Sequence, residues 1–273
     1  KKMVREMDLA DKKLGLEMAY LPVLCYNDIT GAFPEAKFQD ISDLFVFARS
    51  VKTPEEIEMF RILCKAADEG FTAVSKIARP GVTEQELVRT FRETVIATGK
   101  AAPSSWSMFS TGESGSRLTI PGDGVIRKGD VVKFDAGVNA EFDFYTTDTS
   151  RSWVMEGADP ALYKLKDRLY EAQRRMIAAA KPGLPICELY HTAYDYVKEM
   201  FPAYVRGHQG HSISMGPATC EAPIIDAKTT RPLEAGMILA MEVPCVQGFN
   251  IEDMVLITED GCEVLTPNTP HYL

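Results

Sequence analysis

A nine-residue phrase occurs twice in the chain and constrains its architecture more than any other feature. The segment RPGVTEQEL at 79–87 returns as KPGLPICEL at 181–189. Each copy separates a long stretch with helical spacing from a second one, and each is followed by sequence rich in β-forming residues. The short echo is weak evidence alone, but the matched order of elements around it predicts two similar halves of about 100 residues each.

Local signals mark the ends of four helices. Thr53-Pro54-Glu55-Glu56 combines a capping threonine, a proline at the first helical position and a glutamate at the third, which predicts a helix start. Thr83-Glu84-Gln85-Glu86 is a second capping box. The predicted helices run from Thr53-Pro54 to before Ala78, from Thr83 through about Ala97, from Asp159-Pro160 to before Lys181, and from about Ile186 to Met200.

Each half ends in sequence that predicts an antiparallel hairpin. In the first half, the β-rich segments 130–137 and 145–154 follow one another closely. In the second half, 237–243 is followed by 251–258, with Gly248-Phe249-Asn250 at the turn. This pattern of helices and hairpins predicts an α+β fold.

Residues 1 to 50 follow a different pattern. Strand-like LGLEM at 14–18 and FQDI at 38–41 alternate with short helical stretches, which is typical of the last part of a small α/β domain. The chain begins in the middle of that pattern. We therefore expect that an upstream part was removed or belongs elsewhere.

Composition excludes several classes of function. The chain has 273 residues and a net charge of −9, which disfavours nucleic acid as a partner. It contains no apolar run long enough to cross a membrane, and its first residues, KKMVRE, are not followed by the apolar segment of a signal peptide. Six cysteines without a C-x-x-C pair predict free thiols in a reducing, cytoplasmic setting.

Carboxylates lie in or beside these apolar strands. Asp135 occurs within VVKFDAG, Glu242 within LAMEVP, and Glu252 just before the run MVLI. A carboxylate buried in a strand costs several kcal/mol unless it is paired or bound to a metal. Asp135 and Asp148 lie across the first hairpin, and Glu242 and Glu252 across the second, so we expect the hairpins to face one another. His211 adds one imidazole.

Four carboxylates and one histidine suit two divalent ions that share bridging carboxylates. Such a pair activates water at neutral pH and polarises a carbonyl group. An oxygen-rich set with one nitrogen favours manganese, iron(II), cobalt or zinc over a structural zinc site built from thiolates. The alternative is ordinary hydrogen bonding of buried carboxylates.

From Thr53 to the C-terminus, the chain resembles the pita-bread family of metallopeptidases, which includes methionine aminopeptidase, aminopeptidase P, prolidase and creatinase. The motifs that carry this resemblance, in the family's order, are FDAG at 134–137, TDTSR at 147–151, GH at 210–211, EVP at 242–244 and NIED at 250–253. The resemblance implies a pita-bread domain at 53–273, with pseudo-twofold halves and an antiparallel sheet flanked by helices. Residues 1–50 resemble the end of a creatinase-type N-terminal domain, which favours the prolidase and aminopeptidase P branch.

The resemblance also implies a role for each ligand. Asp135 would chelate one metal, Asp148 and Glu252 would bridge both, and His211 and Glu242 would hold the other. Glu242 would also take a proton from the water between the metals. A homodimer is implied by the resemblance alone.

Two histidines of the peptidase branch have no counterpart in this sequence. A Leu-Pro-His segment before the first metal strand is replaced by GESGSRLTIP at 112–121, and a later His-Glu-x-Pro reads Cys220-Glu221-Ala222-Pro223. In the relatives these histidines bind substrate and move protons. For Cys220 there are two interpretations: the side chain packs against its neighbours, or it lines a pocket. The hairpin tip at 140–144 is also longer than is common in the family.

Several neighbouring residues carry predictions of their own. His208, three residues before His211, is the candidate to replace a missing proton shuttle, and the alternative is a loop histidine bonded to backbone. Arg151 is expected to orient carboxylates rather than to bind substrate. Asp253 either supports the predicted ligands or is an ordinary strand residue. His271 is expected at the surface.

Three functions remain open at this stage. The first is a metal-dependent exopeptidase, a Xaa-Pro aminopeptidase or a prolidase-like dipeptidase. The second is a hydrolase of a small non-peptide C–N bond, as in creatinase. The third is a non-catalytic binding protein, which the complete ligand set disfavours. A small peptide or amide is the expected substrate in either enzyme.

Overall fold

The computed structural model describes residues 1–111, 120–140, 145–213, 220–245 and 248–273, with the side chains of all of these except 105–111. The segment 112–119 and most of the long hairpin tip, 141–144, lie outside the described residues. The predictions for those two places are therefore untested. The chain divides into two compact units, Lys1–Arg49 and Ser50–Leu273.

The first unit contains a parallel pair of strands connected by a helix. Strands β1 (Lys13–Leu16) and β2 (Lys37–Asp40) pair in parallel, with Lys13 opposite Lys37. The helices are α1 (Lys2–Glu6), α2 (Val23–Ala32) and α3 (Ser42–Ser50). Parallel strands need such a crossover connection, so this is a β-α-β unit. Its identity as the end of a creatinase-type domain stays a prediction.

The second unit contains the four predicted helices. They are α4 (Pro54–Ile77), α5 (Glu84–Ala97), α6 (Pro160–Ala179) and α7 (Ile186–Met200). Both capping boxes form: Thr53 Oγ1 accepts from the Glu56 amide at 3.3 Å, and the Glu56 carboxylate accepts from the Thr53 amide at 2.7 Å. Thr83 and Glu86 repeat this pair of bonds. The four helix predictions are confirmed. They succeed because capping signals act between residues that are close in sequence.

One eight-stranded sheet carries the rest of the second unit. Its strands, among the described residues, are β3 (Ala102–Thr111), β4 (Val131–Asn139), β5 (Thr149–Val154), β6 (His208–Ile213), β7 (Cys220–Asp226), β8 (Ile238–Glu242), β9 (Glu252–Ile257) and β10 (Cys262–Val264). The order is β3-β4-β5-β9-β8-β6-β7, with β10 also paired to β9, and every pairing is antiparallel. The predicted hairpins are β4–β5 and β8–β9.

The two hairpins lie side by side in this sheet instead of facing one another. Strand β5 pairs with β9 where Ser150 lies opposite Glu252. The expectation of facing hairpins was wrong because β5 and β9 pair edge to edge at this position, which covers part of both strand edges. The junction places the ligand-bearing ends of both hairpins next to each other.

Strand alternation separates the apolar face of the sheet from the face that carries the ligands. Phe134 of β4 packs against Phe71 of α4 and Phe91 of α5, with ring centroids 5.1 and 5.2 Å away. Asp135, the next residue, therefore points to the opposite face. In β8, Met241 belongs to the core built around α6 and α7, so Glu242 also points away from it.

Candidate metal centre

Strand register places three of the carboxylates around a single point in the sheet. Glu242 lies directly opposite Glu252 in the β8–β9 pair. Glu252 in turn lies opposite Ser150, which is opposite Asp135 in the β4–β5 pair. All of these side chains project from one face because directly opposed residues of neighbouring strands share a face.

A glycine allows His211 to approach this point. Gly210 has φ +130°, and a Cβ built on it would lie 2.1 Å from the carbonyl oxygen of Ala240 in β8. A side chain at 210 would thus push β6 away from β8. The Nδ1 atom of His211 lies 3.0 Å from the Ser212 carbonyl oxygen and donates to it. In the neutral tautomer with this bond, the Nε2 lone pair is free, which is the form that binds a metal.

The predicted ligands form one buried cluster. Donor atoms of Asp148, His211 and Glu252 all lie within 4.8 Å of one another. Asp135 and Glu242 join them through the side-chain amide of Asn250, described below. The structure therefore brings together all five residues singled out from the sequence. Their assignment as metal ligands stays a prediction.

The carboxylates of the cluster repel one another and have lost most of their water. Burial, followed by the charge of Glu242, raises the pKa of Asp135 to about 7. Burial and the neighbouring carboxylates also raise the pKa values of Asp148 and Glu252 well above their ordinary range. The ammonium of Lys133, itself buried, offsets part of this charge. The cluster still has an excess of negative charge, which divalent cations would offset.

An unpaired oxygen also fits a metal. Asp135 Oδ1 is buried and has no hydrogen-bond partner among the described residues. A buried acceptor left in this state costs about 1–3 kcal/mol. A cation bound by the cluster removes that cost. The donor set, four carboxylates and one imidazole, therefore fits oxygen-preferring divalent ions.

Asn250 lies among the carboxylates. Its Nδ2 atom is 3.1 Å from Glu242 Oε2, 3.4 Å from Asp135 Oδ2 and 3.4 Å from Glu252 Oε2. The sequence placed Asn250 in a turn and in a family motif, without a contact to any ligand. The amide nitrogen of Asn250 thus lies within hydrogen-bond distance of three predicted ligands.

His208 contacts the centre through Glu242. Its Nδ1 is 3.2 Å from Glu242 Oε1, and its Nε2 is 3.1 Å from Nη2 of Arg206. The Gly210 amide donates to Nδ1 at 3.4 Å. Burial lowers the pKa of His208, and the charge of Glu242 opposes this shift.

Arg206 is a site residue that the sequence did not reveal. Its Nη2 donates to Glu242 Oε1 at 3.1 Å, and its backbone carbonyl accepts from the Tyr190 hydroxyl of α7 at 2.8 Å. The side chain is 35% exposed, so the guanidinium lies at the rim of the cluster. A lone arginine in a loop has no periodicity or motif that would have marked it.

Cys220, which stands where relatives carry a histidine, is exposed. It therefore does not serve as core packing. Partial burial, with the charges of Glu242 and Asp148, raises its thiol pKa to about 11. The thiol thus keeps its proton at neutral pH.

Arg151 supports the centre from the opposite face. This fully buried guanidinium pairs with the Asp253 carboxylate and donates to the backbone carbonyls of Ser150 and Glu252. The prediction that it orients a carboxylate is consistent with these bonds. Burial alone would raise the pKa of Asp253, but Arg151 holds it below its ordinary value. Asp253 thus has a supporting role behind Glu252.

His271 is only 20% exposed, whereas the sequence predicted a surface residue. Its Nε2 lies 3.7 Å from Asp253 Oδ2, and its ring centroid is 4.4 Å from that of Tyr170. Buried donors explain the position of the C-terminal segment, because Trp153 Nε1 donates to the Pro270 carbonyl at 3.1 Å and Lys166 donates to that of His271. Nearness to the C-terminus was therefore a poor guide to exposure.

A neutral, partly buried His271 predicts acid sensitivity. Burial, followed by the charge of Arg151, lowers its pKa to about 3, whereas the pKa of a histidine in the unfolded chain is near 6.5. Between these values the unfolded chain binds one more proton, so stability falls by up to about 1.4 kcal/mol for each unit of pH decrease. His271→Gln should flatten the dependence of the free energy of unfolding on pH between 5 and 6.5, measured by urea denaturation. Exposed His191→Gln is the control, and equal slopes in wild type and His271→Gln would contradict the prediction.

Comparison with known proteins identifies the family. Residues 58–259 match metallopeptidase family M24. The chain belongs to this family. Among solved structures, it is similar to a Xaa-Pro dipeptidase from Bacillus anthracis (28% identity, TM-score 0.86, covering 100% of this chain and 77% of that one) and to a prolidase from Pyrococcus furiosus (27%, 0.83, 97% and 80%). It is also 29% identical, over 95% of its length and 75% of the relative's, to an uncharacterised peptidase of Staphylococcus saprophyticus.

These matches confirm the resemblance inferred from the motifs. The protein has the pita-bread fold and is a metallopeptidase, whose family implies divalent metal ions and a peptide substrate. The group formed by Asp148, His211 and Glu252 is a buried candidate site for such an ion. No helix in the described part of the chain is long and apolar enough to cross a membrane.

Proposed function

We propose that this M24 enzyme is a Xaa-Pro aminopeptidase or a prolidase-like dipeptidase that uses two divalent metal ions. The observation that carries the proposal is the buried cluster of four carboxylates and one histidine, with the orphaned Asp135 Oδ1. The similar Bacillus and Pyrococcus enzymes support the Xaa-Pro substrate class. When bound, such ions activate a water at neutral pH and polarise the scissile carbonyl.

Each predicted ligand has a proposed role in binding the metals or moving a proton. Asp135, Asp148, His211, Glu242 and Glu252 would hold the metals, with Asp148 and Glu252 shared between them. Glu242 would also accept the proton released from the attacking water. This assignment agrees with the register that places Glu242 opposite Glu252.

His208 is the proposed proton shuttle. Its Nδ1 lies 3.2 Å from Glu242 Oε1 and its side chain is 33% exposed, so the ring lies beside both the carboxylate and the rim. General acid–base catalysis needs a group whose protonation can change near the working pH. Cys220 cannot supply it, because its thiol pKa of about 11 keeps it protonated.

The finer properties of the enzyme are further proposals. The oxygen-rich donor set supports manganese, cobalt, zinc or iron(II) as the metal. The described cysteines are free thiols, which supports a cytoplasmic location. A homodimer rests on the family resemblance.

A second candidate is hydrolysis of a small non-peptide C–N bond. Cys220 stands where the peptidase relatives carry a substrate-binding histidine, and this change favours a different substrate. A non-catalytic binding protein is the weaker alternative, because the full ligand set is present.

The experiment that separates these functions starts from the purified full chain, stripped of metal and reloaded with manganese or cobalt. It is assayed against Xaa-Pro dipeptides, longer Xaa-Pro peptides and small amides, with metal content measured in parallel. If the enzyme with full metal occupancy cleaves none of the proline peptides, the Xaa-Pro peptidase assignment is contradicted. Absence of bound metal, with no gain of activity on addition, would favour the binding protein.

His208→Ala should lower turnover by at least about 100-fold, the usual contribution of a general acid or base. Metal content should change little, because the predicted ligands remain in place. The measurement is kcat on the best Xaa-Pro substrate together with elemental analysis. His191→Ala, on the exposed face of α7, is the matched control. Wild-type turnover in His208→Ala would remove this residue from the mechanism.

A further inference from the structure

Hydrogen bonds to Ser152 connect the backbone of Asn250, which lies between β8 and β9, to strand β5 of the first hairpin. Its backbone amide donates to Ser152 Oγ at 2.9 Å, and its carbonyl accepts from the same hydroxyl at 3.0 Å. The residue is 5% exposed. With the backbone fixed by Ser152 on strand β5, rotation about the side-chain bonds is the main freedom left to the amide.

The two ends of the Asn250 amide have opposite surroundings. Nδ2 lies within hydrogen-bond distance of oxygens from Asp135, Glu242 and Glu252. Oδ1 is buried and has no hydrogen-bond partner among the described residues. Two hydrogens of one amide group are thus shared by three carboxylates, while a strong acceptor is left unused.

We propose that Asn250 is an additional metal ligand, which binds a divalent ion through Oδ1. The proposal rests on the metal centre of the proposed function. An amide group is planar and nearly symmetric in shape, so half a turn about the Cβ–Cγ bond exchanges Oδ1 and Nδ2. The NH2 group faces three carboxylates when no cation is present, because an oxygen there would be repelled. A cation reverses that preference, and amide oxygens are ordinary ligands of hard divalent ions.

A different role for Asn250 predicts an effect of opposite sign. If the amide only holds the carboxylates apart, its hydrogens compete with the metal for the same oxygens. Removing the amide would then leave metal affinity unchanged or increase it. If Oδ1 is a ligand, removal weakens binding. The direction of the change in affinity therefore decides between the two roles.

The test compares full-length wild type, Asn250→Ala and Asn250→Asp, each stripped of metal. Manganese affinity and stoichiometry are measured by calorimetry with a competing chelator, and cobalt binding by visible absorption. Asn250→Ala should bind one ion more than about 100-fold more weakly, which exceeds the loss expected from a partner outside the ligand shell, and its cobalt spectrum should change. A smaller loss, or manganese affinity equal to or tighter than wild type, would overturn the proposal.

Asn250→Asp keeps the size of the side chain and retains an oxygen donor, so it covers the case in which the alanine variant does not fold. It should bind manganese at least as tightly as wild type, and a tenfold loss would overturn the proposal. Asn268→Ala is the matched control, because Asn268 also donates from Nδ2 to a carboxylate, Asp68, at 3.3 Å, but outside the centre.

These measurements test the role of Asn250 separately from the proposed function. A wild type that binds two ions without cleaving any Xaa-Pro peptide, and that loses affinity in Asn250→Ala, contradicts only the function. A wild type that cleaves Xaa-Pro peptides, and whose manganese affinity is unchanged in Asn250→Ala, contradicts only the role of Asn250.

Discussion

Asp148→Ala should lose both metal ions at once and reduce hydrolysis to background. Asp148 Oδ2 lies 3.6 Å from His211 Nε2, and a donor atom of Asp148 lies within 4.8 Å of one on Glu252. A ligand shared by two ions weakens both sites when it is removed. Loss of a partner outside the ligand shell already costs about 10- to 100-fold in metal affinity, so a lost ligand should cost more. Elemental analysis after dialysis, together with peptide assays, measures both effects.

Stability distinguishes this loss from misfolding. Burial and nearby carboxylates raise the pKa of Asp148, which means that its ionised form destabilises the metal-free fold above its ordinary pKa. Metal-free Asp148→Ala should therefore melt at or above the wild-type temperature at pH 7. Asp195→Ala, which removes an exposed acid from α7, should keep both metals. Two ions retained in Asp148→Ala would refute the ligand assignment.

Local signals account for the parts of the fold that the sequence predicts well. Thr53 and Thr83 begin helices because each cap bonds an amide three residues away, which requires no distant partner. The same holds for the hairpins β4–β5 and β8–β9, whose strands are close in sequence. The carboxylates Asp135 and Glu242 were found because charge in an apolar strand demands compensation.

Non-local contacts explain what the sequence did not predict. The side-by-side arrangement of the hairpins depends on the pairing of Ser150 with Glu252, which are far apart in the chain. The approach of Arg206 to Glu242 and of Asn250 to Asp135 requires strands from both halves to be in place. The position of His271 depends on hydrogen bonds from Trp153 and Lys166, which are distant in sequence. None of these contacts has a periodicity that a single sequence displays.

Arg151→Met should destabilise the protein by roughly 3–5 kcal/mol, because it leaves the Asp253 carboxylate buried without its ion partner. For a domain of this size that lowers Tm by roughly 6–20 °C. The carbonyl oxygens of Ser150, Glu252 and Thr269 lose a donor in the same variant. Arg175→Met, which breaks an exposed pair with Glu171, should cost no more than about 1 kcal/mol.

A double variant identifies the cause of this loss. If the unpaired charge is responsible, Arg151→Met combined with Asp253→Asn should recover much of the stability, since no buried carboxylate then lacks a cation. Equal destabilisation of the single and double variants would contradict that account and assign the loss to the carbonyl bonds. Metal affinity separates the two further, because the bond from Arg151 to the Glu252 carbonyl holds the backbone of a predicted bridging ligand. Affinity should stay low in both variants even where stability returns.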